Sequence, residues 1–406
     1  MMTTAQKKWI TATVPVLKEH GVLLTTHFYE RMFKYNPELK NLFNMGNQRS
    51  GKQQTALAMS VLAYAENIAN PSVLGSAVNQ IGHKHVSLNV QPAQYLLVGH
   101  HLIASIKEVL GDTATPEIID AWEAAYGQLA KLMSEHEATL YKKQVAKPHG
   151  WSGWRSFKVG KKVLESIEIT SFYLYPMDGE KVPLHIPGQY ISVQVFLPEL
   201  QLKQARQYSI SSAPNNEYYR ISIKREKGAT DIDADGLISN YFHDCVNEGD
   251  LVDLTPPAGT FVLPAEFQAP LMLISGGVGL TPLISILQSL IDKNHPQPIT
   301  WLHGCRNRFV HAFKDYIDYI AEQNVAFEKY VFYNTATEED LQEGAFDGYL
   351  DINRLPLSFV FYPDTHYFIC GPAVFIQKQY QDLLARGVDR SRIFFEEFGP
   401  GVLQLD

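Results

Sequence analysis

The histidines of this sequence are candidate metal ligands. Four of them lie in two pairs, His83 with His85 and His100 with His101. A neutral imidazole is the most common metal ligand in proteins, and it can bind a haem iron. His85 lies in the segment IGHKHVSLN, soon followed by Pro92, and is therefore a candidate iron ligand. The other three histidines remain alternatives on spacing alone.

A group of glycines near residue 277 could bind a phosphate. In LMLISGGVGLTPLISIL, a predicted buried strand is followed by a glycine turn and by a helix that we expect Thr281 and Pro282 to cap. Glycines allow backbone amides to approach a pyrophosphate, and a helix start carries partial positive charge. The candidate residues are Gly277, Val278, Gly279, Leu280, Thr281 and Pro282. The pattern is not a strict G-x-G-x-x-G, and such turns also serve packing alone.

The composition limits the partners. The 406 residues include 35 basic and 43 acidic side chains, for a net charge of −8. Because nucleic-acid binding requires clustered Lys and Arg, we expect small soluble partners instead. Cys245, Cys305 and Cys370 are far apart and form no C-x-x-C pattern, so neither a disulfide framework nor a zinc site is predicted. A reducing cytoplasm is the expected location.

One segment has the length of a membrane span. Residues 270–291 carry no charged side chain and are long enough to cross a bilayer. Glycines and a proline interrupt this segment at one place, which favours a strand, a turn and a helix. The first ten residues lack the apolar core of a signal peptide. We therefore expect no membrane span.

The apolar periodicity divides the chain into three domains. Residues 1–140 have helical spacing and are predicted to be all-α, and Thr115 and Pro116 are expected to begin the last long helix. Residues 141–154, which contain Pro148, are the expected linker. The short β-rich runs of residues 155–264 predict an antiparallel barrel or sandwich. Residues 268–406 have βαβ spacing, which predicts a parallel sheet covered by helices.

The helical half resembles a bacterial globin. The resemblance lies in the segments HFYERMF, NPELKNLFNM, NQRSGKQQTALAMSVLAYAENI, KHVSLNVQPAQY and WEAAYGQLA. It implies a haem b with His85 as the proximal iron ligand and Phe43 packed against the haem. Tyr29 and Gln53 would lie on the distal side, where hydrogen-bond donors stabilise dioxygen.

The same resemblance assigns two residues behind the iron ligand. Tyr95 and Glu135 match the positions that orient the proximal histidine in the family. A carboxylate behind the ring strengthens the imidazole as a donor. The resemblance thus implies an iron ligand like that of peroxidases rather than that of oxygen-storage proteins. A surface charge on the last helix is the alternative interpretation of Glu135.

The middle of the chain resembles the flavin domain of ferredoxin reductases. The motifs are PGQYISVQV, the R-Q-Y-S of residues 206–209, KREKG and GLISN. The resemblance implies FAD, with Tyr208 along the isoalloxazine ring, Ser209 at its polar edge and Arg206 on the pyrophosphate. The other residues implied in this site are Tyr190, Gln207 and Ser239, the last at a helix N-terminus that can receive phosphate.

The last part of the chain resembles the nicotinamide side of the same reductases, through CGP at residues 370–372 and FGP at 398–400. The implied cofactor-binding residues at the chain end are Glu397, Phe398, Gly399 and Pro400. Phe398 would cover the flavin until nicotinamide displaces it, and Glu397 replaces a cysteine frequent in the family. Arg306 and Arg308 could accept a 2′-phosphate, which leaves NADH and NADPH both open. The acidic residues 229–235 are expected to form a surface loop.

Taken together, residues 5–400 resemble a flavohaemoglobin. The resemblance implies a nitric oxide dioxygenase that converts NO and O2 to nitrate with electrons passed from NAD(P)H through FAD to haem iron. It also implies that Lys84 and Glu396 influence this electron transfer. One alternative is a reductase of hydroperoxides, ferric chelates or quinones, and another is an oxygen-binding or gas-sensing globin. No obligate protein partner is implied.

Overall fold

The computed structural model describes residues 2–228, 235–356, 359 and 361–399. The described part forms a helical domain, an antiparallel barrel and a parallel α/β domain. This is the predicted fold class, and the order of the domains is also as predicted.

The first domain is built from seven helices around a core that includes Phe28, Met32 and Trp122. Thr115 accepts a hydrogen bond from the Ile118 amide and is the N-cap of the last helix, as predicted. The helices are α1 Thr4–Ala12, α2 Val14–Tyr35, α3 Met45–Arg49, α4 Lys52–Glu66, α5 Gly75–Ser87, α6 Pro92–Leu110 and α7 Pro116–Ala146.

Helix α7 is longer than the sequence indicated. It continues to Ala146, so the first six residues of the predicted linker, 141–146, are helical. Tertiary contacts stabilise this extension: the Tyr141 hydroxyl donates to the Val90 carbonyl at 2.8 Å, and Gln144 is buried. At the other end of the predicted linker, the Trp151 ring packs against Phe157 of the barrel.

The second domain is a six-stranded antiparallel barrel in the order β4-β3-β6-β1-β2-β5. A bridge between Ile210 and Ile221 joins the two outer strands and closes the sheet. Helix α8 contributes Phe242 to the barrel core. The elements are β1 Arg155–Leu164, β2 Ile169–Pro176, β3 Tyr190–Leu197, β4 Leu202–Ser209, β5 Tyr219–Lys224, α8 Leu237–Asp244 and β6 Leu251–Leu254.

The third domain is a six-stranded parallel sheet in the order β10-β9-β8-β7-β11-β12, with helices between the strands. The chain reverses its direction of strand addition between β7 and β11, and ligands of such sheets bind at that point, beyond the carboxyl ends of the strands. The elements are β7 Leu271–Gly276, α9 Leu280–Asp292, β8 Ile299–Cys305, α10 Lys314–Gln323, β9 Phe327–Tyr333, α11 Glu338–Gln342, β10 Phe346–Asp347, β11 His366–Gly371, α12 Ala373–Ala385 and β12 Ile393–Glu397.

The charge-free segment 270–291 forms β7, a turn and most of α9. All six residues of β7 are buried, because a central parallel strand is covered on both faces. Of the helices that the structure describes, none combines the length and the apolar character needed to cross a membrane.

Candidate functional site

His85 lies in the last turn of α5 and is held from behind by two side chains. Its Nδ1 atom is 2.7 Å from Glu137 Oε1 and 2.8 Å from the Tyr95 hydroxyl, which itself donates to the same carboxylate oxygen at 2.6 Å. Nδ1 therefore carries the proton, and the Nε2 lone pair has no hydrogen-bond partner among the described residues. This tautomer suits an imidazole that binds iron through Nε2.

Glu137, and not Glu135, is the carboxylate behind His85. Glu135 is exposed and pairs with Lys131 at 3.8 Å, so its assignment was wrong. Two residues apart on a helix, these side chains point to opposite sides. Helical spacing could have identified Glu137, because it lies four residues after Met133 and three before Leu140, both of which are buried.

Two of the alternative histidines use ring nitrogens in contacts within the protein. Arg31 donates to His101 Nδ1, and His101 Nε2 donates to the Asn36 side chain, so neither nitrogen is free. The Gly259 amide donates to His83 Nδ1 across the interface with the barrel, which leaves the proton of the neutral ring on Nε2. Since the proton of His85 is on Nδ1 and its Nε2 lone pair is open, His85 suits iron better than His83 or His101.

Tyr29 lies in an aromatic and amide environment on α2. Its side chain is buried, and its ring meets Phe43 edge to face at 5.5 Å. Burial raises the pKa of Tyr29 to about 12, while interactions with the Gln53 and Gln48 side chains lower it less. The hydroxyl is therefore protonated at neutral pH and can donate a hydrogen bond.

Gln48 was not identified from the sequence. Its side chain interacts with Tyr29, and its Nε2 atom is buried without a hydrogen bond of full geometry to a described residue. A buried donor without a partner is costly, so this amide suits a pocket that holds a polar ligand. Tyr29, Gln53 and Gln48 thus supply donors beside Phe43, and these residues fit the distal side of a haem pocket.

The flavin motif lies on two neighbouring barrel strands. Tyr190 on β3 pairs with Ser209 on β4, and Ile191 pairs with Tyr208. Arg206 donates to its neighbouring Ala205 carbonyl and forms no ion pair with any described carboxylate. Its burial lowers the pKa of the guanidinium to about 10. A buried, charged guanidinium without a carboxylate fits an anion such as the FAD pyrophosphate.

Two further residues of the predicted flavin site make contacts within the protein. Ser239 is in the first turn of α8, where its hydroxyl donates to the Gly236 carbonyl and accepts from the Glu226 amide. The Gln207 side chain donates to Ser87 of the helical domain at 2.7 Å. A contact of either side chain with FAD stays a prediction.

The glycine turn lies at the carboxyl end of β7, beside β11. Gly277 has φ +55°, and a Cβ atom there would meet no other atom within 4 Å. At Gly279 a Cβ would lie 2.2 Å from the Cys370 carbonyl oxygen, so only glycine fits. The turn is thus close to β11 on one side and open on the other, which suits a nucleotide pyrophosphate.

Helix α9 begins with residues other than those predicted. Its N-cap is Gly279, its first residue is Leu280, and Thr281 and Pro282 lie inside the first turn. The Thr281 hydroxyl donates to the Val278 carbonyl at 3.0 Å and so does not cap the helix. The expected capping role of Thr281 was wrong, although both residues lie at the amino-terminal end of α9.

The carboxyl-terminal strand β12 reaches the helical domain. Lys84 on α5 donates to the Gly399 carbonyl at 2.7 Å. Glu396 Oε2 is buried without a hydrogen-bond partner among the described residues, and burial raises the pKa of this carboxyl to about 8 although Lys84 opposes the shift. Phe398 is 46% exposed, so a planar ligand could contact its ring. Glu397 ends β12, and Pro400 lies outside the described residues.

Both candidate 2′-phosphate ligands have carboxylate partners. Arg306 forms an ion pair with Glu168 of the barrel. Arg308 forms ion pairs with three carboxylates of α11 and the following turn, namely Glu339, Asp340 and Glu343. The structure therefore offers neither arginine as a free cation. Of the acidic loop, only Asp235 is described, and it accepts a hydrogen bond from the Gly228 amide.

Two family models match parts of the first and of the last domain. The globin family matches residues 26–133, and the family described as oxidoreductase NAD-binding domain matches residues 273–381. A protein of Bordetella pertussis named flavohemoprotein is 48% identical over 404 residues, which cover 99% of both chains. A flavohemoprotein of Rhizobium meliloti is 45% identical and covers 98% of this chain and 99% of its own.

Solved structures give the same result. A flavohemoglobin from Malassezia yamatoensis, with bound FAD and heme, superposes with a TM-score of 0.84 and is 26% identical, covering 98% of this chain and 99% of its own. The FAD/NAD binding domain of a nitric oxide dioxygenase from Vibrio cholerae is 38% identical. That domain superposes with a TM-score of 0.55 and covers 61% of this chain and 99% of its own.

Proposed function

This chain belongs to the flavohaemoprotein family, and we propose that it is an NAD(P)H-dependent nitric oxide dioxygenase that converts NO and O2 to nitrate. The proposed cofactors are haem b, FAD and NAD(P)H, and the proposed location is the cytoplasm. The cysteines Cys245, Cys305 and Cys370 are all unpaired, which is compatible with a reducing compartment.

The observation that carries the proposal is the position of α5 between the cofactor sites. This helix holds His85, contacts the flavin motif through Ser87 and Gln207, and contacts Gly399, just after β12 of the nicotinamide domain, through Lys84. An oxygen carrier has no need of a reductase attached to the helix that holds its iron. The arrangement favours an enzyme whose iron is reduced within the same chain.

The chain's own residues have separate tasks in this reaction. When bound, haem supplies an iron that binds O2, and FAD accepts hydride from the nicotinamide and releases its electrons one at a time. The open turn at Gly277 would hold the nicotinamide nucleotide pyrophosphate, and Arg206 would hold that of FAD. Glu137 keeps the proton on His85 Nδ1, which leaves Nε2 available to an iron.

The distal residues act on the oxygen ligand. The Tyr29 hydroxyl stays protonated because the side chain is buried, and it lies beside Gln53. It would donate a hydrogen bond to the oxygen ligand. The ring of Phe43 packs beside it and keeps the pocket apolar. A donor in an apolar pocket stabilises developing negative charge more strongly than the same donor in water.

Turnover of nitric oxide by the purified, haem- and FAD-loaded protein tests the proposal. We expect rapid consumption of NO only when O2 and NAD(P)H are both present, with nitrate as the product. The control is the same protein after removal of haem, which should keep NAD(P)H oxidation by artificial acceptors but lose NO consumption. Equal consumption without haem would assign the activity to the flavin site and contradict the proposal.

One observation supports a second candidate activity. The Glu137 carboxylate behind His85 strengthens the imidazole as a donor, and this favours cleavage of an O–O bond. Reduction of hydroperoxides is therefore the alternative to compare with NO consumption on the same preparation. A hydroperoxide turnover that exceeds NO turnover at equal substrate concentration would favour this second activity.

A further inference from the structure

Ser87 joins the helical domain to the flavin motif. It is the last residue of α5, two positions after His85, and its side chain is fully buried. The Ser87 hydroxyl donates to the Lys84 carbonyl at 2.8 Å and accepts from Gln207 Nε2 at 2.7 Å. The Ser87 carbonyl accepts from the Thr255 hydroxyl at 2.7 Å. The hydroxyl and the carbonyl of Ser87 therefore both have partners among the described residues, and its backbone amide lies inside the helix.

The partners of Ser87 belong to the flavin site. Gln207 is the second residue of the R-Q-Y-S motif on β4, and Tyr190 on β3, which also interacts with Ser87, pairs with Ser209 of that motif. Thr255 directly follows β6, which pairs with β3. A single serine thus connects the turn that carries His85 to the strand pair that carries the flavin motif.

The buried hydrogen bonds of Ser87 fix the geometry in which α5 and the barrel pack together. A buried polar group costs free energy unless its hydrogen bonds are made, so these groups favour one docking geometry and penalise others. Because Ser87 is small and completely enclosed, the helix and strands approach closely at this point. Small displacements of reacting groups have large effects on rates, so a fixed approach matters most where electrons must cross.

We propose that Ser87 is a positioning residue for electron transfer from the flavin site to the haem iron, an inference that rests on the proposed function. The hydride from NAD(P)H carries two electrons and one proton; the proton would pass to solvent, and the two electrons would reduce ferric iron in two successive turnovers, one electron each. Ser87 takes no electron and no proton in this step. It holds Gln207 and Tyr190 against the end of α5 while the electrons cross.

The variant Ser87→Ala removes the hydroxyl contacts and keeps the helix. Its matched control is Ser105→Ala, because Ser105 is also a fully buried serine of the helical domain but its hydroxyl has no hydrogen-bond partner among the described residues. A second variant, Thr255→Val, removes the contact to the Ser87 carbonyl from the barrel side. It keeps the proposal testable if Ser87→Ala fails to fold.

Rapid mixing with NADH under argon separates the two electron steps in the holoprotein. We expect Ser87→Ala and Thr255→Val to reduce their flavin at the wild-type rate, but to reduce their iron about tenfold more slowly or worse, since misplacement by a fraction of an ångström is enough for this. Hydrogen exchange should increase at residues 84–90 and 204–209 in both variants. Ser105→Ala should match the wild type in every readout.

Iron reduction at the wild-type rate in a folded Ser87→Ala protein would overturn the proposal, even if hydrogen exchange increased, because Ser87 would then serve docking alone. Flavin reduction that slowed by the same factor as iron reduction would also overturn the proposal, because the defect would then lie at the flavin. These results are independent of NO turnover. If the wild type consumed no NO while Ser87→Ala still slowed iron reduction, the proposed function would fail and the role of Ser87 would stand.

Discussion

Glu137 Oε1 lies 2.7 Å from His85 Nδ1, although 52 residues separate the two along the chain. Glu137 is only 2% exposed, and the Tyr95 hydroxyl donates to the same oxygen. A buried carboxylate is costly unless it is paired and hydrogen-bonded, and here both conditions are met by the residues that orient the imidazole. These contacts favour transfer of electron density from Glu137 to the ring.

The first prediction concerns this carboxylate. Glu137→Gln should raise the reduction potential of the haem iron, because a neutral amide makes the imidazole a weaker donor and stabilises ferric iron less. NO turnover should fall by about tenfold or more, as is typical when a hydrogen-bond partner of a metal ligand is removed. Spectroelectrochemical titration of the haem measures the potential.

Glu135→Gln is the matched control, since this exposed carboxylate lies on the same helix, two residues away. It should leave both the potential and the turnover unchanged. An equal change in the two variants would mean that the effect comes from α7 as a whole and would contradict the assignment of Glu137.

The second prediction concerns oxygen. Tyr29→Phe should speed the dissociation of O2 from the ferrous protein by about 10- to 100-fold, the equivalent of one hydrogen bond to a charged group. Laser photolysis or rapid mixing with CO measures this rate. Tyr64→Phe is the control, because Tyr64 is a buried tyrosine whose hydroxyl donates to the Ala125 carbonyl. An unchanged rate in Tyr29→Phe would place the distal donor elsewhere.

The third prediction concerns the nicotinamide nucleotide. Because Arg306 and Arg308 are paired with carboxylates, NADH should be used with a higher kcat/KM than NADPH. The double substitution of Glu339 and Glu343 by Gln should raise kcat/KM for NADPH a few-fold, since exposed ion pairs are worth about 0–1 kcal/mol each. NADH kinetics should hardly change.

Glu338→Gln controls for the loss of a charge from α11, because Glu338 forms no ion pair with Arg308. The assignment would be refuted if NADPH were already the better substrate of the wild type.

The fourth prediction concerns acid stability. His185 is buried between the barrel and α9, where its Nε2 donates to the Ser212 carbonyl and lies 3.2 Å from the Ser285 hydroxyl. Burial lowers the pKa of His185 to about 3 from an ordinary value of 6.5. The folded protein thus binds this proton less readily than the unfolded chain, so its contribution to stability is present above pH 6.5 and is lost as the pH falls towards 3.

His185→Gln should therefore lose less stability than the wild type between pH 7 and 5, by about 2 kcal/mol, because glutamine can keep the bond to Ser212 but does not titrate. Urea unfolding of the holoprotein at both pH values measures this difference. His20→Gln, a substitution at an exposed histidine, should behave as the wild type. Parallel loss of stability in His185→Gln would show that other groups cause the acid sensitivity.

The sequence was most informative where a local pattern determines structure. Thr115 was predicted as an N-cap from adjacent residues, and a continuous apolar run predicted β7, because capping and strand burial depend on neighbours in the chain. The resemblance also led to His85, Tyr95 and the R-Q-Y-S motif without any structure. The fold brings Tyr95 to His85 and places the motif on β4, while binding of haem or FAD by these residues stays a prediction.

What could not be predicted depends on contacts between distant residues. The extension of α7 to Ala146 is stabilised by Tyr141 reaching Val90, and polar residues in that segment concealed it. The contacts of Ser87 depend on the packing of the barrel against α5, and no spacing within one segment reports contacts of either kind. The choice of Glu137 over Glu135 is different, because helical spacing from the buried Met133 and Leu140 could have identified it.

The most direct test of the account is a spectrum of the reconstituted protein after NADH is added under argon. The account predicts that the flavin absorbance falls first and that the haem then changes fully from the ferric to the ferrous spectrum, with no electron carrier added. A flavin that is reduced while the haem stays ferric, over times much longer than one turnover with NO, would contradict the central claim that the nicotinamide site supplies the iron held by His85.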